Sequence, residues 1–245
     1  MTDKRRLDQL LVERGLAPTR AKAQALILAG TVFSGERRLD KPGATLGADA
    51  PLEVRGKDHP WVSRGGVKLA HALDHFAIDP RDFVALDIGA STGGFTDVLL
   101  QRGAAHVYAV DVGFGQFAWS LRNDPRVVLL ERTNARHLTR AQVAEPVDLV
   151  VCDASFIGLE IVLLAALALA KPRARLVALI KPQFEVGPDR VGKGGVVRDP
   201  ALHREVCDRI VAWLGAQGWR VRGVVESPIR GPEGNVEFLV AAERG

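Results

Sequence analysis

Three ionisable residues stand where apolar segments of the sequence end or begin. Asp153 ends LVVCD, Lys181 follows LVALI, and Glu237 lies near the start of NVEFLVAA. Glu237 stands between Val236 and Phe238 in a segment predicted to be covered, and a buried carboxylate is costly without a cationic partner. Amines and carboxylates held together in this way are the groups that general acid–base catalysis uses. A simpler interpretation, strand ends that reach water, explains Lys181 well and Glu237 less well.

A glycine-rich segment follows the apolar run FVALDI. In sheets with parallel strands the ligand lies beyond the carboxyl ends of the strands, and glycines there let the backbone approach it closely. The spacing GxxxGG departs from the dinucleotide fingerprint GxGxxG, and the chain contains no Gly-Lys-Ser/Thr of a phosphate-binding loop. The predicted cofactor-binding residues of this segment are Asp87, Gly89, Ala90, Ser91, Thr92, Gly93, Gly94 and Phe95.

A further acidic residue, Asp111, ends the next apolar run, HVYAVD. A carboxylate at that edge can accept hydrogen bonds from both hydroxyls of an adenosine ribose. Taken alone, Asp111 is explained equally well as a helix cap. Together with the glycine-rich segment, it favours a nucleoside cofactor.

The elements that position these residues alternate between strands and helices from Phe83 onward. Near-continuous apolar runs indicate strands covered on both faces, as in a parallel α/β sheet. The predicted strands are FVALDIGA, HVYAVDVG, RVVLLE, VDLVVCD, RLVALIKP, Arg220–Glu226 and Asn235–Ala242, and the predicted helices are Gly66–Phe76, GGFTDVLLQRG, QFAWSLRN, Ile157–Ala170 and Ala201–Gln217. The loop SPIRGPEG is too short for a crossover helix, so the last two strands must be antiparallel. Glu237 is therefore predicted to share an edge with Asp153 and Lys181.

The first sixty residues predict a smaller α+β unit. Leucines at helical spacing indicate a first helix, and Thr19 is a candidate cap for a second helix that stops at Gly30. Short apolar pieces separated by turn residues, Thr31–Phe33 and Pro51–Val54, indicate short strands. The polar segment RGKDHPW indicates a linker. We predict a first domain over residues 1–58, a linker over 59–65 and a larger domain over 66–245.

The charge of the chain is modestly basic, with a formal net charge of +4. Such a balance suits a polyanionic partner, although a solvated charged face explains the same cations. The cations that flank the two predicted helices and the first turn are Arg5, Arg6, Arg14, Arg20, Lys22, Arg37 and Arg38.

Several classes of protein are disfavoured by composition. The longest apolar run, residues 156–170, contains Glu160 and is too short to span a bilayer, and the start lacks the apolar core of a secretory signal. The two cysteines, Cys152 and Cys207, lie far apart without metal-ligand spacing, so we expect reduced core residues and no metal site. We therefore expect a cytoplasmic protein that acts away from membranes.

Two resemblances to known families make this interpretation specific. The segment RLDQLLVERGLAPTRAKAQALILAGTVFSGERRLDKPG resembles the alpha-L RNA-binding module. The remaining motifs resemble the TlyA family of rRNA 2′-O-methyltransferases, also labelled haemolysins, whose catalytic domain is similar to FtsJ-type enzymes. They are PWVSRGGVKL, LDIGASTGGFTDVLL, YAVDVGFGQFAWSLR, ERTNAR, CDASFI, IKPQFEVG and EGNVEFL.

The resemblance implies a Rossmann-like α/β sheet that binds S-adenosylmethionine, after a small N-terminal alpha-L domain. Its partner would be ribosomal RNA in ribosomal subunits, with cytidines in 16S or 23S rRNA as targets. The family's catalytic tetrad falls on Lys68, Asp153, Lys181 and Glu237, of which Lys68 rests on the resemblance alone. Asn134 and Arg136 match a family motif and are assigned to the adenine side of the pocket, while Asp153 would also lie near the methyl donor.

The implied mechanism removes a proton from a ribose 2′-hydroxyl as that oxygen attacks the methyl group. Lys181 is the candidate base, oriented by Asp153, while Glu237 would hold Lys68; the roles of the two lysines could be exchanged. Three other functions stay open: a membrane-active haemolysin, a non-catalytic RNA-binding assembly factor and a small-molecule methyltransferase. The N-terminal module argues against the last of these, and four intact tetrad positions argue against the second.

Overall fold

The computed structural model describes residues 4–56 and 59–245 and divides the chain into two compact units, Met1–Arg64 and Gly65–Gly245. The larger unit thus begins one residue before the predicted start of the larger domain. The predicted end of the first domain, Asp58, and its neighbour Lys57 in the predicted linker lie outside the described residues.

The N-terminal unit is a small α+β arrangement. Its elements are β1 (Lys4–Arg6), α1 (Leu7–Glu13), α2 (Arg20–Leu28), β2 (Val32–Ser34), β3 (Arg37–Arg38), β4 (Thr45–Gly47) and β5 (Glu53–Val54). β1 pairs antiparallel with β4, and β2 lies between β3 and β5. Thr19 caps α2 as the sequence predicts, because its side chain accepts a hydrogen bond from the backbone N–H of Lys22. The β1–β4 pair is not predicted, since β1 is the charged run KRR.

The N-terminal unit has a buried carboxylate at its centre. The Asp8 side chain has 0% exposure and accepts hydrogen bonds from Arg6, Arg20 and Gln24. The hydrogen bond from Arg6 is the largest cause of a pKa for Asp8 that lies well below the ordinary carboxyl range. Two of the cations that the sequence assigns to a charged surface therefore hold this unit together.

The larger unit is built on one seven-stranded sheet. Its elements are α3 (Gly65–His75), β6 (Val84–Ile88), α4 (Gly94–Gln101), β7 (His106–Val110), α5 (Trp119–Arg122), β8 (Val127–Leu130), β9 (Val147–Cys152), α6 (Leu159–Ala168), β10 (Ala170–Ile180), α7 (Pro182–Glu185), α8 (Pro200–Ala216), β11 (Arg220–Glu226) and β12 (Phe238–Glu243). The strand order is β11-β12-β10-β9-β6-β7-β8, with β12 antiparallel to both of its neighbours. The predicted α/β fold, with its terminal antiparallel hairpin, is confirmed.

Several element limits differ from the prediction. The segment QFAWSLRN forms only the short helix α5. The helix predicted to reach Ala170 ends at Ala168, because β10 begins at Ala170. Asn235 and Glu237 precede β12 instead of starting it, although the carbonyl of Glu237 still accepts a hydrogen bond from the N–H of Ser227. Within the described residues, no helix combines the length and apolar character needed to cross a membrane.

We predict that Asp8→Ala destabilises the N-terminal unit by about 1–3 kcal/mol, because it removes several hydrogen bonds to a charged group. Since the folded state lowers the pKa of Asp8, this stabilisation is complete above about pH 4 and is lost as the pH falls toward the folded pKa. Amide hydrogen exchange over residues 4–56, at pH 7 and at about pH 2, measures both effects. Asp40→Ala is the control, since Asp40 is exposed. Equal exchange in the two variants would contradict this account.

Candidate active site

A cavity of about 650 Å³ lies at the carboxyl edge of the parallel strands. Its walls come from the ends of β6, β7 and β9 and from the segments that follow them. The residues predicted to bind a cofactor that line this cavity are Gly89, Ser91, Asp111, Asn134, Arg136 and Asp153. Those that the structure places outside its lining are Asp87, Ala90, Thr92, Gly93, Gly94 and Phe95. Their cofactor contact stays a prediction.

Gly89 is required by the close approach of two strand ends. Its φ is +80°, and a Cβ at this position would lie 2.9 Å from the backbone N and Cα of Ala154. Any side chain here would both strain the backbone and push β6 away from the segment after β9. The glycine therefore keeps the floor of the cavity open beside Asp153.

Asp111 organises the wall after β7. Its Oδ2 accepts a hydrogen bond from the N–H of Ser91 at 2.7 Å, and its Oδ1 accepts one from the N–H of Gly113 at 2.6 Å. A carboxylate offers about four acceptor sites, so it can still accept hydrogen bonds from two ligand hydroxyls. These contacts fit the hydroxyls of a nucleoside ribose.

Asp87 lies behind the cavity and is completely buried. Its Oδ2 accepts a hydrogen bond from the Thr96 hydroxyl at 2.7 Å, whereas Oδ1 is buried and has no hydrogen-bond partner among the described residues. Burial raises the pKa of Asp87 to about 7. An unpaired carboxylate oxygen at this depth fits a site that receives a cationic ligand group.

Asn134 and Arg136, which lie in the segment after β8, also line the cavity. The Asn134 side chain caps a short 3₁₀ turn, Ala135–His137, by accepting hydrogen bonds from the backbone N–H and the Nε of Arg136. The pair thus has a clear structural role, and its assignment to the adenine side remains a prediction.

Lys68 and Glu237 form a deeply buried ion pair. The Lys68 Nζ lies 2.6 Å from the Glu237 Oε2, and the two side chains are 9% and 0% exposed. Lys68 comes from α3, which precedes the sheet, and Glu237 comes from the segment before β12. The Gln183 side chain also approaches Glu237, at 3.5 Å from Oε1.

Lys181 and Asp153 form a second pair nearer to the cavity. The Lys181 Nζ lies 2.6 Å from the Asp153 Oδ1, and it donates to the Asp153 carbonyl and to the Ser155 hydroxyl. The side chains are 8% and 20% exposed, so the carboxylate of this pair is the more accessible one. Asp153 lines the cavity itself.

The register of the sheet brings the two pairs to one edge. Ile180 pairs with Phe238 across the antiparallel β10–β12 ladder, so the next residues outward are Lys181 and Glu237. The structure therefore assembles all four tetrad positions at the carboxyl edge of the sheet. Their catalytic roles are taken up as a proposal below.

Three site residues were missed by sequence reasoning. Ser155 binds the Lys181 amine, and the Gln183 Oε1 is buried without a hydrogen-bond partner among the described residues. Phe156 lines the cavity, is 88% exposed and has a φ of +65°. The signal was present, because these residues belong to the quoted motifs CDASFI and IKPQFEVG. In residues 4–56 and 59–245, no group of three metal-binding side chains is found.

Comparison with known proteins identifies both units. Residues 61–244 match the FtsJ-like methyltransferase family, and residues 5–50 match the S4 domain. The chain is 51% identical over 241 residues to 16S/23S rRNA (cytidine-2′-O)-methyltransferase TlyA of Mycobacterium tuberculosis, covering 98% of this chain and 90% of that protein. It is 50% identical over 242 residues to YqxC of Bacillus subtilis, provisionally named an rRNA methyltransferase, with 98% and 86% coverage.

A solved structure resembles the whole chain. It is a protein of Streptococcus thermophilus, provisionally named a hemolysin, with a TM-score of 0.78 and 40% sequence identity. The alignment covers 100% of this chain and 90% of that protein. The similarity therefore extends through the N-terminal unit as well as the sheet.

We predict that Asp87→Asn flattens the dependence of stability on pH. Since folding raises the pKa of Asp87 from its ordinary value to about 7, Asp87 contributes stability that is lost as the pH rises from about 4 to 7. Between pH 5 and pH 8 this loss amounts to about 2–3 kcal/mol, and the variant should not show it. Urea unfolding at the two pH values measures it.

Asp79→Asn is the control for Asp87→Asn, because it makes the same substitution at an exposed position. An Asp87→Asn variant that loses as much stability as the unmodified protein between pH 5 and pH 8 would show that Asp87 is ionised throughout.

Proposed function

The chain belongs to the TlyA family of FtsJ-like methyltransferases, and we propose on that premise that it methylates the ribose 2′-hydroxyl of a cytidine in ribosomal RNA. Its methyl donor is S-adenosylmethionine. We propose further that it acts in the cytoplasm, where 16S or 23S rRNA within ribosomal subunits would be its substrate.

The observation that carries this proposal is the placement of two lysine–carboxylate pairs at the sheet edge where a cavity of about 650 Å³ lies. Asp153 lines the cavity and holds Lys181, and the Lys68–Glu237 pair lies at the same edge of the sheet. A ribose hydroxyl is a weak nucleophile at neutral pH, so the site must supply orientation and a proton acceptor. An amine held by a carboxylate at the cavity wall is suited to both tasks.

The cavity fits the methyl donor by its chemistry. Asp111 would hold the ribose hydroxyls, and the segment from Gly89 to Ser91 would lie close to the ligand. The buried Asp87 would compensate the charge of the ligand's amino group. When bound, S-adenosylmethionine supplies an electrophilic methyl group on a sulfonium centre. The carboxylate of Asp153 would lie next to that centre.

Lys181 is the better candidate for the base. If Lys68 gave up its proton, Glu237 would be left as a fully buried carboxylate without a cation, which is strongly unfavourable. Asp153 is 20% exposed, so water can compensate it while Lys181 is neutral. In the reaction the ribose oxygen forms a bond to the methyl carbon as the carbon–sulfur bond breaks, and Lys181 Nζ accepts the hydroxyl proton. Lys68 remains charged and keeps Glu237 neutralised.

The N-terminal unit would dock the RNA through those cations that are not already paired. Arg6 and Arg20 bind Asp8, and Arg5 lies 3.0 Å from Glu13. Lys22 and Arg37 are exposed, Arg38 is half-buried, and none of the three side chains has an ion pair or hydrogen bond among the described residues. We therefore assign phosphate contacts to these three cations.

We predict that Lys181→Ala lowers methyl transfer by about 10²–10⁴-fold, the usual contribution of a general base. Asp153→Ala, Lys68→Ala and Glu237→Ala should also reduce transfer sharply, and double variants should be little worse than the worst single one, because the residues act as a unit. Label transferred from S-adenosylmethionine to unmodified ribosomal subunits measures the effect. RNA with a 2′-deoxycytidine at the target should accept no label.

Lys171→Ala is the matched control for Lys181→Ala. Lys171 lies on the same strand, β10, and forms an equally short pair with Asp148, at 2.7 Å. Because this pair lies at the other end of the strand, its loss should leave transfer nearly unchanged. Full activity of Lys181→Ala, or transfer to the deoxy target, would refute the mechanism.

We predict that the triple variant Lys22→Ser, Arg37→Ser and Arg38→Ser binds rRNA more weakly and with less salt dependence. Each lost phosphate contact should reduce the slope of log affinity against log salt by about 0.9. Fluorescence anisotropy of labelled rRNA at several salt concentrations measures the slope. Arg81→Ser, which removes an exposed cation from the larger unit, should change it little. An unchanged slope in the triple variant would exclude these residues as docking contacts.

A further inference from the structure

Asn235 lies two residues before Glu237 and is buried, with 2% exposure. Its Oδ1 accepts a hydrogen bond from the N–H of Val197 at 3.0 Å, and its Nδ2 donates one to the carbonyl of Gly195 at 2.9 Å. Both ends of the amide are thus satisfied by one distant segment. Removing the side chain would leave two backbone groups unpaired, so Asn235 fastens that segment to the one that carries Glu237.

The fastened segment is the glycine loop, which we define as Gly192–Arg198. Gly194 and Gly195 have φ values of +77° and +76°, which other residues rarely adopt. Gly192 forms an isolated bridge with Val196, and a Cβ at Gly192 would lie only 2.7 Å from the Val196 carbonyl oxygen. The loop is therefore a tight, defined turn, and Asn235 binds it two residues before Glu237.

The glycine loop carries two cations, Lys193 and Arg198, that form no ion pair with the described residues. Lys193 and Arg198 are exposed, and neither has an ion pair or hydrogen bond within the part of the chain that the structure describes. Arg190, just before the loop, differs because both of its terminal nitrogens bind Glu205, at 2.6 and 2.5 Å. The loop thus presents positive charge beside a site that must admit a polyanion.

We propose that the glycine loop binds a phosphate of the RNA strand through Lys193 and Arg198, and that Asn235 is the positioning residue that holds this loop beside Glu237. This inference rests on the proposed function, because the acceptor must be an RNA. In RNA the 2′-hydroxyl and the 3′-phosphate are neighbours on one ribose. A target hydroxyl that reaches Lys181 therefore brings phosphates to the same edge. Cations there would bind these phosphates and fix the position of the RNA strand.

Asn235 gives the loop a role that a solvated surface turn would not need. An exposed lysine or arginine on a free loop would bind phosphate with little positional effect, because its backbone can move. Here a buried amide ties the backbone of Gly195 and Val197 to the segment that carries Glu237. The loop can thus fix where the strand lies relative to Lys181 as well as attract it.

The test is the double variant Lys193→Ala and Arg198→Ala in the full chain. With unmodified ribosomal subunits as substrate, we expect KM for the subunits to rise about tenfold, while kcat and the affinity for S-adenosylmethionine stay unchanged. The salt slope of binding to labelled rRNA should fall by about 2, one contact for each cation. The charge-matched control is Arg173→Ala with Arg204→Ala, because both arginines are exposed and lack polar partners in the described residues.

Asn235→Ala tests the fastening separately. We expect faster amide exchange over residues 192–198, a KM for the subunits raised as in the double variant, and a lowered kcat because Glu237 loses support. A salt slope unchanged in the double variant, or lowered equally in the control, would overturn the loop assignment. Absence of any methyl transfer by the unmodified chain would instead overturn the proposed function, while the salt slope would still decide whether the loop binds RNA.

Discussion

The buried Glu237 carboxylate is the constraint on which the cluster of charged residues at the carboxyl edge of the sheet depends. A carboxyl group with no exposed surface can stay ionised only beside a cation and hydrogen-bond donors, and Lys68 supplies the cation from a helix 169 residues away in the sequence. A Cβ at position 231, in the connection between β11 and β12, would overlap the Glu237 carboxylate. Glycine is therefore favoured at this position. The single charge thus ties α3 to the connection before β12, and Gln183 of α7 approaches it from a third element.

The topology could be predicted because it follows from short-range constraints. The apolar runs identify strands covered on both faces, and a loop too short for a helix forces the last pair to be antiparallel. These two facts alone bring Asp153, Lys181 and Glu237 to one edge. Lys68 could not be placed in this way, because its helix precedes the sheet and only tertiary packing decides which face it presents. The contact between Lys68 of α3 and Glu237 could therefore be seen only in the structure.

Charge in the N-terminal unit shows a second limit of sequence reasoning. Counting cations cannot separate those that face a partner from those that the fold itself uses. Arg6 and Arg20 surround the buried Asp8, whereas the exposed side chains of Lys22 and Arg37 have no polar partner within residues 4–56 and 59–245. The difference arises from one aspartate whose burial cannot be seen in a segment of ordinary helical pattern. The same distinction separates Arg190, which Glu205 binds, from Lys193 a few residues later.

The two lysine pairs differ in burial, and that difference matches the movement of charge in methyl transfer. If Lys181 is the base, as proposed, it would gain a positive charge with the hydroxyl proton in place of the one that the methyl donor brings, so the total charge of the edge would not change. Asp153 lies 2.6 Å from the amine that becomes charged and is also part of the cavity wall. It can therefore compensate the positive charge before and after the reaction without moving. Lys68 and Glu237, with side chains 9% and 0% exposed, would keep their own charges fixed during the proposed transfer.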